Sequence, residues 1–156
     1  FNGGYRSALD RAIPLLLRHD LPFTLFIDAE QVEAGNPQFM SWDDIRKLAR
    51  NPGVTIALTA TPLPRSGETL DDPTAMIRTH LNRAIDAIRN NLGTVPSVFA
   101  YPFADYSDIY RQAVAQAGFT AAFTHESGPA YAGLDLLSLP RFTLSENYDD
   151  LDRFRM

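Results

Sequence analysis

The chain contains no cysteine, a single lysine (Lys47) and three histidines in 156 residues. Without cysteine it forms no disulfide and has no thiolate for catalysis or metal binding. It also lacks any apolar run near the roughly 20 residues that cross a bilayer, so the sequence predicts no transmembrane segment. Positive charge is scarce, with a net charge of −5 and a pI of about 5.0. This balance argues against a nucleic-acid partner, because the phosphate backbone is bound by basic surfaces.

What is present is the composition of a globular domain. Hydrophobic residues make up 45% of the chain and charged residues 21%, and 156 residues suffice for one domain with its own core. We therefore expect a single domain over residues 1–156. The chain begins on Phe1 with neither Met nor a charged-then-apolar leader, so we expect that its N-terminal flank, with any signal peptide, is missing.

Short apolar segments alternate with helical patterns along the chain. The predicted strands are residues 1–2, 23–27, 54–58, 97–101, 119–124 and 136–139. The predicted helices are residues 7–18, 41–51, 73–92 and 107–117, with a last helix beginning around 147–148, and the segment through residues 35–37 is predicted to be a loop. This alternation predicts an α/β fold with a parallel sheet, and by itself leaves a barrel and an open doubly wound sheet as alternatives.

Local signals mark several helix ends. Ser41 and Asp44 form a predicted capping box, and Pro73 stands at the first position of the longest helix. This helix ends at Gly93 and carries one apolar stripe made of Ile77, Leu81, Ile85, Ile88 and Leu92. Pro14 requires the first helix to kink or restart.

The stretch Phe1-Asn2-Gly3-Gly4-Tyr5 resembles the Thr-Phe-Asp-Asp-Gly-Tyr motif that opens the polysaccharide deacetylases, carbohydrate esterase family 4. Later segments resemble further elements of the family in the same order, namely residues 41–45, 99–103, 124–128 and 139–142. The resemblance covers nearly the whole chain and looks closest to the deacetylases of exported poly-N-acetylglucosamine. It implies a distorted (β/α) barrel with parallel strands of the NodB-homology type, a polysaccharide ligand, and a periplasmic or cell-envelope location.

The residues that carry the family's chemistry are replaced at the matching positions. In the family the first Asp is the catalytic base, and the second Asp binds a divalent metal such as zinc together with two His. This chain has Asn2 and Gly3 at the Asp positions, and Thr59 and Leu63 at the His positions. Glycine and leucine offer no lone pair, and a neutral threonine hydroxyl is a poor ligand for a late divalent ion. The resemblance therefore implies no catalytic residue and no metal cofactor at these four positions, which we expect to converge at one mouth of the barrel.

Few other side chains are placed to rebuild a metal site. His19 follows the first helix on the opposite rim, His80 lies on the long helix, and only His125 follows a strand on the catalytic side. Asp28 and Asp105 also follow strands. Asp105 could be a base, but an Asp before a helix is usually an N-cap, and we favour the cap for Asp105. We do not expect Asp28 to be a catalyst either.

Six residues are predicted to contact substrate in the inherited groove: Tyr101, Phe103, Tyr106, His125, Glu126 and Arg141. Aromatic rings suit the apolar faces of pyranoses, and Tyr106 is the best such candidate, whereas core packing is favoured for Phe103 and for Trp42. The Phe103 backbone N–H stands where the family has its oxyanion donor. For His125 and Glu126 the alternative, which we favour, is a hydrogen-bonded loop position.

Arg141 resembles the family arginine that orients the catalytic carboxylate. Without that carboxylate, we expect Arg141 to pair with Asp28 or Glu126, or to point to solvent.

Three functions fit these observations. We favour a catalytically inactive polysaccharide deacetylase-like domain that binds glycan, or that serves as a scaffold for a protein partner or a fused domain. The alternative is an active, metal-dependent carbohydrate N-deacetylase with a rearranged site. Fold resemblance does not decide among them, because function depends on the groups in the site.

Overall fold

The computed structural model describes residues 1–60, 72–102 and 106–142. In this part of the chain five strands form one sheet in the order in which they occur: β1 (Asn2–Gly3), β2 (Phe23–Asp28), β3 (Val54–Thr59), β4 (Val98–Ala100) and β5 (Ala121–Phe123). Every neighbouring pair is parallel. The predicted α/β fold with parallel strands is therefore confirmed.

The register of the strands brings their carboxyl ends to one edge of the sheet. β2 pairs with β3 from Phe23 opposite Val54 to Asp28 opposite Thr59, and Thr59 in turn stands opposite Ala100 of β4. On the other side of β2, Asn2 stands opposite Phe26. Side chains alternate between the two faces of a strand, so Asn2, Asp28 and Thr59 share one face.

Helices connect the strands: α1 (Ile13–Arg18), α2 (Ala29–Glu33), α3 (Trp42–Ala49), α4 (Pro73–Leu92) and α5 (Asp108–Gln116). The predicted capping box of α3 is present, since Ser41 and Asp44 each bond the backbone N–H of the other. Gly93 ends α4 in the left-handed conformation at φ 71°, as predicted. Among the residues described, no helix is both long and apolar enough to cross a bilayer.

Two apolar clusters pack the helices against one face of the sheet. The predicted stripe of α4 is buried from Ile77 to Ile88 against Leu58 and Phe99, while Leu92 is partly buried. A second cluster joins Ile27 of β2 to helices α1, α2 and α3. Trp42 packs against both clusters, so the core interpretation of Trp42 is confirmed.

A third, smaller cluster lies on the opposite face, where Asn2, Asp28 and Thr59 also point. It consists of Phe26, Ala57 and Ala100, flanked by Val98 and Phe123. These residues stand opposite one another in the strand register and form an apolar floor beneath the polar carboxyl ends of the strands.

Two segments differ from the prediction. The predicted strand at 136–139 is a 3₁₀ helix over Leu136–Ser138, because Asp135 accepts the Leu137 N–H at 2.9 Å and only Leu139 forms a bridge, to Phe123. The second is α2, a helix that was not predicted, which lies between β2 and the predicted loop at residues 35–37. The predicted restart of the first helix at Pro14 is confirmed, since a π-helical turn over Ala8–Ala12 is followed by α1 with Pro14 in its first turn.

Several predicted features lie outside the described residues. These are Leu63, Phe103, Asp105 and the helix beginning around 147–148.

Candidate functional site

A cavity of about 320 Å³ opens at the carboxyl ends of the strands. It is lined by residues from strands β1 to β3 and from the segments that follow the strands: Asn2, Gly3, Tyr5, Asp28, Phe39, Thr59, Ala60, Tyr101, Pro102 and His125. The structure thus brings Asn2, Gly3 and Thr59 together with Tyr101 and His125 from the predicted substrate groove. The volume is at the small end of the ~300–1,000 Å³ range of small-molecule sites.

The Tyr5 ring occupies the space in which a side chain at position 3 would begin. Gly3 has φ 86°, and a Cβ added there would lie 2.7 Å from Cε2 of Tyr5. The Tyr5 ring packs on Phe39, with ring centroids 4.5 Å apart and planes at 32°. An antiparallel bridge joins Tyr5 to Phe39, and the flanking Met40 N–H donates to the Gly4 carbonyl at 2.9 Å. The Tyr5 ring, held by Phe39, therefore occupies the space that a side chain at position 3 would enter.

The Thr59 hydroxyl is already committed to the sheet. Its Oγ1 donates to the Ala100 carbonyl at 2.9 Å, and the residue is only 6% exposed. This bond ties β3 to β4 beyond the backbone ladder. The buried Thr59 hydroxyl therefore has a hydrogen-bond partner, as buried polar groups in folded proteins nearly always do.

Arg141 closes one side of the site through contacts with neutral acceptors. Its Nη1 donates to Asn2 Oδ1 at 2.7 Å, its Nε donates to the Thr124 carbonyl at 2.9 Å, and its Nη2 lies 3.4 Å from His125 Nε2. The guanidinium also stands over the Phe26 ring, 5.6 Å from the ring centroid. The expected pairing of Arg141 with Asp28 or Glu126 was wrong, because the bonds to Asn2 and Thr124 turn the side chain over β1 and β2.

His125 is held as a neutral imidazole beside this cation. Burial lowers the pKa of His125, the Arg141 charge lowers it further, and a hydrogen bond with the Tyr101 backbone acts in the opposite direction. A neutral ring leaves Nε2 able to accept the long contact from Arg141. Burial also raises the pKa of Tyr101 to about 12, and its phenol donates to the Leu137 carbonyl at 3.0 Å. Both groups are uncharged at neutral pH.

Asp28 is the carboxylate that lines the cavity. It caps α2, with Oδ1 accepting the Gln31 N–H at 3.3 Å, and the residue is 8% exposed. The N-cap role predicted for Asp105 lies outside the described residues, whereas Asp28 is the N-cap of α2.

The remaining predicted groove residues lie beside the cavity. Tyr106 packs edge-on against Tyr101 with ring centroids 5.1 Å apart, and does not line the cavity. Glu126 contacts the site through its backbone, since its N–H donates to Thr124 Oγ1 at 3.2 Å and its carbonyl accepts the Arg141 N–H at 2.9 Å. Their contact with substrate stays a prediction.

The residues at the inherited metal positions do not fit a divalent ion. Gly3 has no donor atom and its place is filled by Tyr5, while Thr59 directs its hydroxyl proton to Ala100. Within 1–60, 72–102 and 106–142, no three His, Asp or Glu side chains cluster as metal ligands would. Zinc and related ions favour imidazole, thiolate and carboxylate donors, so this donor set is a poor match.

Sequence reasoning missed Tyr5 and Phe39 as cavity residues. Tyr5 belongs to the opening motif, but its neighbour Phe39 is separated from it by 34 positions and carries no motif. Two apolar rings brought together by a bridge between distant segments leave no local pattern in the sequence.

The sequence profile of the polysaccharide deacetylase family matches residues 1–122. No curated protein matches the chain in a direct sequence comparison.

Among solved structures, the deacetylase domain of BpsB from Bordetella bronchiseptica is 21% identical with a TM-score of 0.79, covering 90% of this chain and 68% of its own. The deacetylase PplD from Streptococcus pyogenes, solved in complex with acetate, is 20% identical with a TM-score of 0.83, covering 94% and 63%. IcaB from Ammonifex degensii is 20% identical with a TM-score of 0.80, covering 93% and 66%. The chain therefore spans about two thirds of the length of these proteins, and at such identities the likeness shows the shared fold.

Proposed function

This chain belongs to the polysaccharide deacetylase family, and we propose that it binds a saccharide in the cavity at the carboxyl ends of β1 to β3 without hydrolysing it. The observation that carries the proposal is the Tyr5 ring, which lies where the metal-binding side chain of position 3 would begin. Hydrolysis of an acetamide by the family's route needs a Lewis acid on the carbonyl and a base for the water. Asn2 is a neutral amide and supplies no base.

The position of the Tyr5 ring beside Gly3 also supports saccharide binding in this cavity. Tyr5 is 44% exposed and stacks on buried Phe39, so the pair presents an aromatic surface to the cavity. Aromatic rings bind the apolar faces of sugar rings while the polar rim supplies hydrogen bonds. Asn2 and His125 supply polar atoms on that rim. The cell-envelope location and a protein partner stay predictions.

An active deacetylase with a rearranged site is the second candidate. The observation in its favour is that Asp28 and His125 line one cavity. Against it, His125 Nε2 faces Arg141 and Asp28 caps α2, so both would have to leave contacts they now make.

The deciding experiment measures metal, turnover and binding on the same 156-residue chain. After dialysis against zinc, cobalt and nickel salts, we expect less than one bound ion per chain and no acetate released from N-acetylchito-oligosaccharides. In NMR titrations with saccharides, we expect shifts in the backbone amides around Tyr5 and His125. Stoichiometric metal with turnover that disappears on chelation would reject the proposal in favour of the second candidate.

Two tyrosine variants locate the binding. Tyr5→Ala removes the exposed ring of the pair and should weaken saccharide binding by about tenfold, or ~1.4 kcal/mol, the upper part of the range for aromatic contacts. Tyr131→Ala removes an equally large ring that is 68% exposed and does not line the cavity, and should leave binding unchanged. Equal losses in the two variants would place binding elsewhere.

A further inference from the structure

Arg141, at the rim of the cavity, pairs with no anionic group of the described residues. The three side-chain contacts of Arg141 are an amide oxygen, a backbone carbonyl and an imidazole nitrogen. Within the described ranges no carboxylate lies at ion-pair distance from this guanidinium, whereas Arg6, Arg46, Arg89 and Arg111 each pair with one. A guanidinium has five N–H groups, so two are left over after these contacts. Burial lowers the pKa of Arg141.

Asn2 adds further donors at the same place. An arginine only donates, so the Asn2 amide must turn its Oδ1 toward Arg141 and its Nδ2 away from it. No acceptor for Nδ2 occurs in the described part of the chain, and Asn2 lines the cavity. An aspartate at this position would offer acceptors only. Asn2 therefore presents hydrogen-bond donors to the cavity at the place where an aspartate would present only acceptors.

A donor-rich edge with a guanidinium that makes no ion pair within the described residues is complementary to a carboxylate. A neutral acetamide carbonyl also accepts hydrogen bonds from the guanidinium, but a carboxylate in addition neutralises its charge and can accept two parallel N–H bonds from it. Two features oppose a long polyanion: the net charge of −5 and the carboxylate of Asp28 in the same cavity. Asp28 Oδ1 accepts the Gln31 N–H at the start of α2, and this bond offsets part of its charge. The favoured ligand is thus short and carries its carboxylate at the Arg141 edge.

We propose that the saccharide bound here is an acidic one, a uronate whose carboxylate contacts Arg141 and the Asn2 amide while its ring lies against Tyr5; this inference rests on the proposed function. The two surfaces adjoin, because Asn2 bonds Arg141 and the next residue, Gly3, is the one whose side-chain space Tyr5 fills. The carboxylate takes the place that a catalytic aspartate would hold beside the arginine.

The test compares three probes by calorimetry and NMR titration: a galacturonate trisaccharide, an N-acetylglucosamine trisaccharide and sodium acetate. We expect the uronate to bind at least about tenfold more tightly than the N-acetylated sugar, with an affinity that falls as salt rises. Acetate should bind far more weakly, because it lacks a ring to place on Tyr5.

The outcomes separate this inference from the proposed function. If the N-acetylated sugar binds in the cavity as tightly as the uronate, the acidic ligand is rejected and saccharide binding stands. If neither sugar binds, the proposed function fails as well. Acetate binding as tightly as the uronate would show a carboxylate site that does not recognise a sugar, and would also reject the inference.

Two variants test the role of charge at this edge. Asn2→Asp supplies Arg141 with a carboxylate and should remove the preference for the uronate over the N-acetylated sugar, a loss of about tenfold. Arg89→Gln removes the same charge from an arginine on α4 that pairs with Asp86, and should leave the preference intact. Thermal unfolding of each variant confirms folding. A uronate preference that survives in folded Asn2→Asp would overturn the assignment.

Discussion

Replacing Asn2 by Asp converts a hydrogen bond from a cation to a neutral amide into an ion pair. Arg141 Nη1 lies 2.7 Å from Asn2 Oδ1, which is already an ideal distance for a bond between two charged groups. The present bond already has one charged partner, so the gain is that of the added ion pair, which is ~0.2–1 kcal/mol at exposed positions. Position 2 is exposed, so the carboxylate of the Asn2→Asp variant keeps part of its hydration and the desolvation cost is small. We therefore expect Asn2→Asp to raise the free energy of unfolding by up to about 1 kcal/mol at pH 7.

The added stability of Asn2→Asp should depend on pH. The Arg141 cation should lower the pKa of Asp at position 2 in the folded state below its unfolded value of about 3.9. The added stability is then present above that value and lost as the pH falls through the lower, folded pKa. For a chain of this size 1 kcal/mol corresponds to roughly 2–4 °C in Tm.

The assay is thermal unfolding of the wild type, Asn2→Asp and Asn82→Asp between pH 2 and pH 8. Asn82 is exposed on α4 with Arg78 four residues before it and Asp86 four residues after it, so the local effects of a new charge oppose each other there. We expect Asn2→Asp to exceed this control at pH 7 and to match it near pH 2. A variant no more stable than the control at pH 7 would refute the contact between Asn2 and Arg141 and, with it, the premise that Arg141 is free to pair with a carboxylate at this edge.

Three further predictions concern stability. Gly3→Ala and Gly93→Ala each force an alanine into a left-handed backbone, at φ 86° and 71°, and should cost ~1–2 kcal/mol in chemical denaturation. Gly3→Ala should cost more, because its Cβ meets Tyr5 whereas Gly93 faces open space; an excess that persists in a Tyr5→Ala background would contradict the ring contact. Ser41→Ala breaks the capping box of α3 and should lower stability by ~1 kcal/mol, with Ser41→Asp as the rescuing variant; an unchanged midpoint would show that the box contributes nothing. The lowered pKa of His125 means that the unfolded chain takes up a proton first, so stability should fall as the pH drops below about 6.5, and His125→Gln should flatten that slope in pH-dependent unfolding; an unaltered slope would locate the proton elsewhere.

Local chemistry in the sequence was enough to predict most of the fold. The capping box at Ser41, the proline start and glycine end of α4, and the spacing of its apolar stripe all depend on residues within a few positions of one another. The sequence also shows directly that Gly3 has no side-chain ligand atom and that Thr59 is not an imidazole. Such features are predictable because helix ends and donor atoms are properties of single residues and their near neighbours.

Other features depended on segments that only the folded chain brings together. Tyr5 meets Phe39 across a bridge between distant segments, and Arg141 turns to Asn2 from 139 residues away instead of to the nearer Glu126. The segment at 136–139 has the apolar residues of a strand, yet the Asp135 side chain captures the Leu137 N–H and leaves Leu139 alone to pair. The sequence shows which groups are available. Which of them meet is decided by strand register and by competition for hydrogen bonds, and both are settled by long-range contacts that no local period encodes.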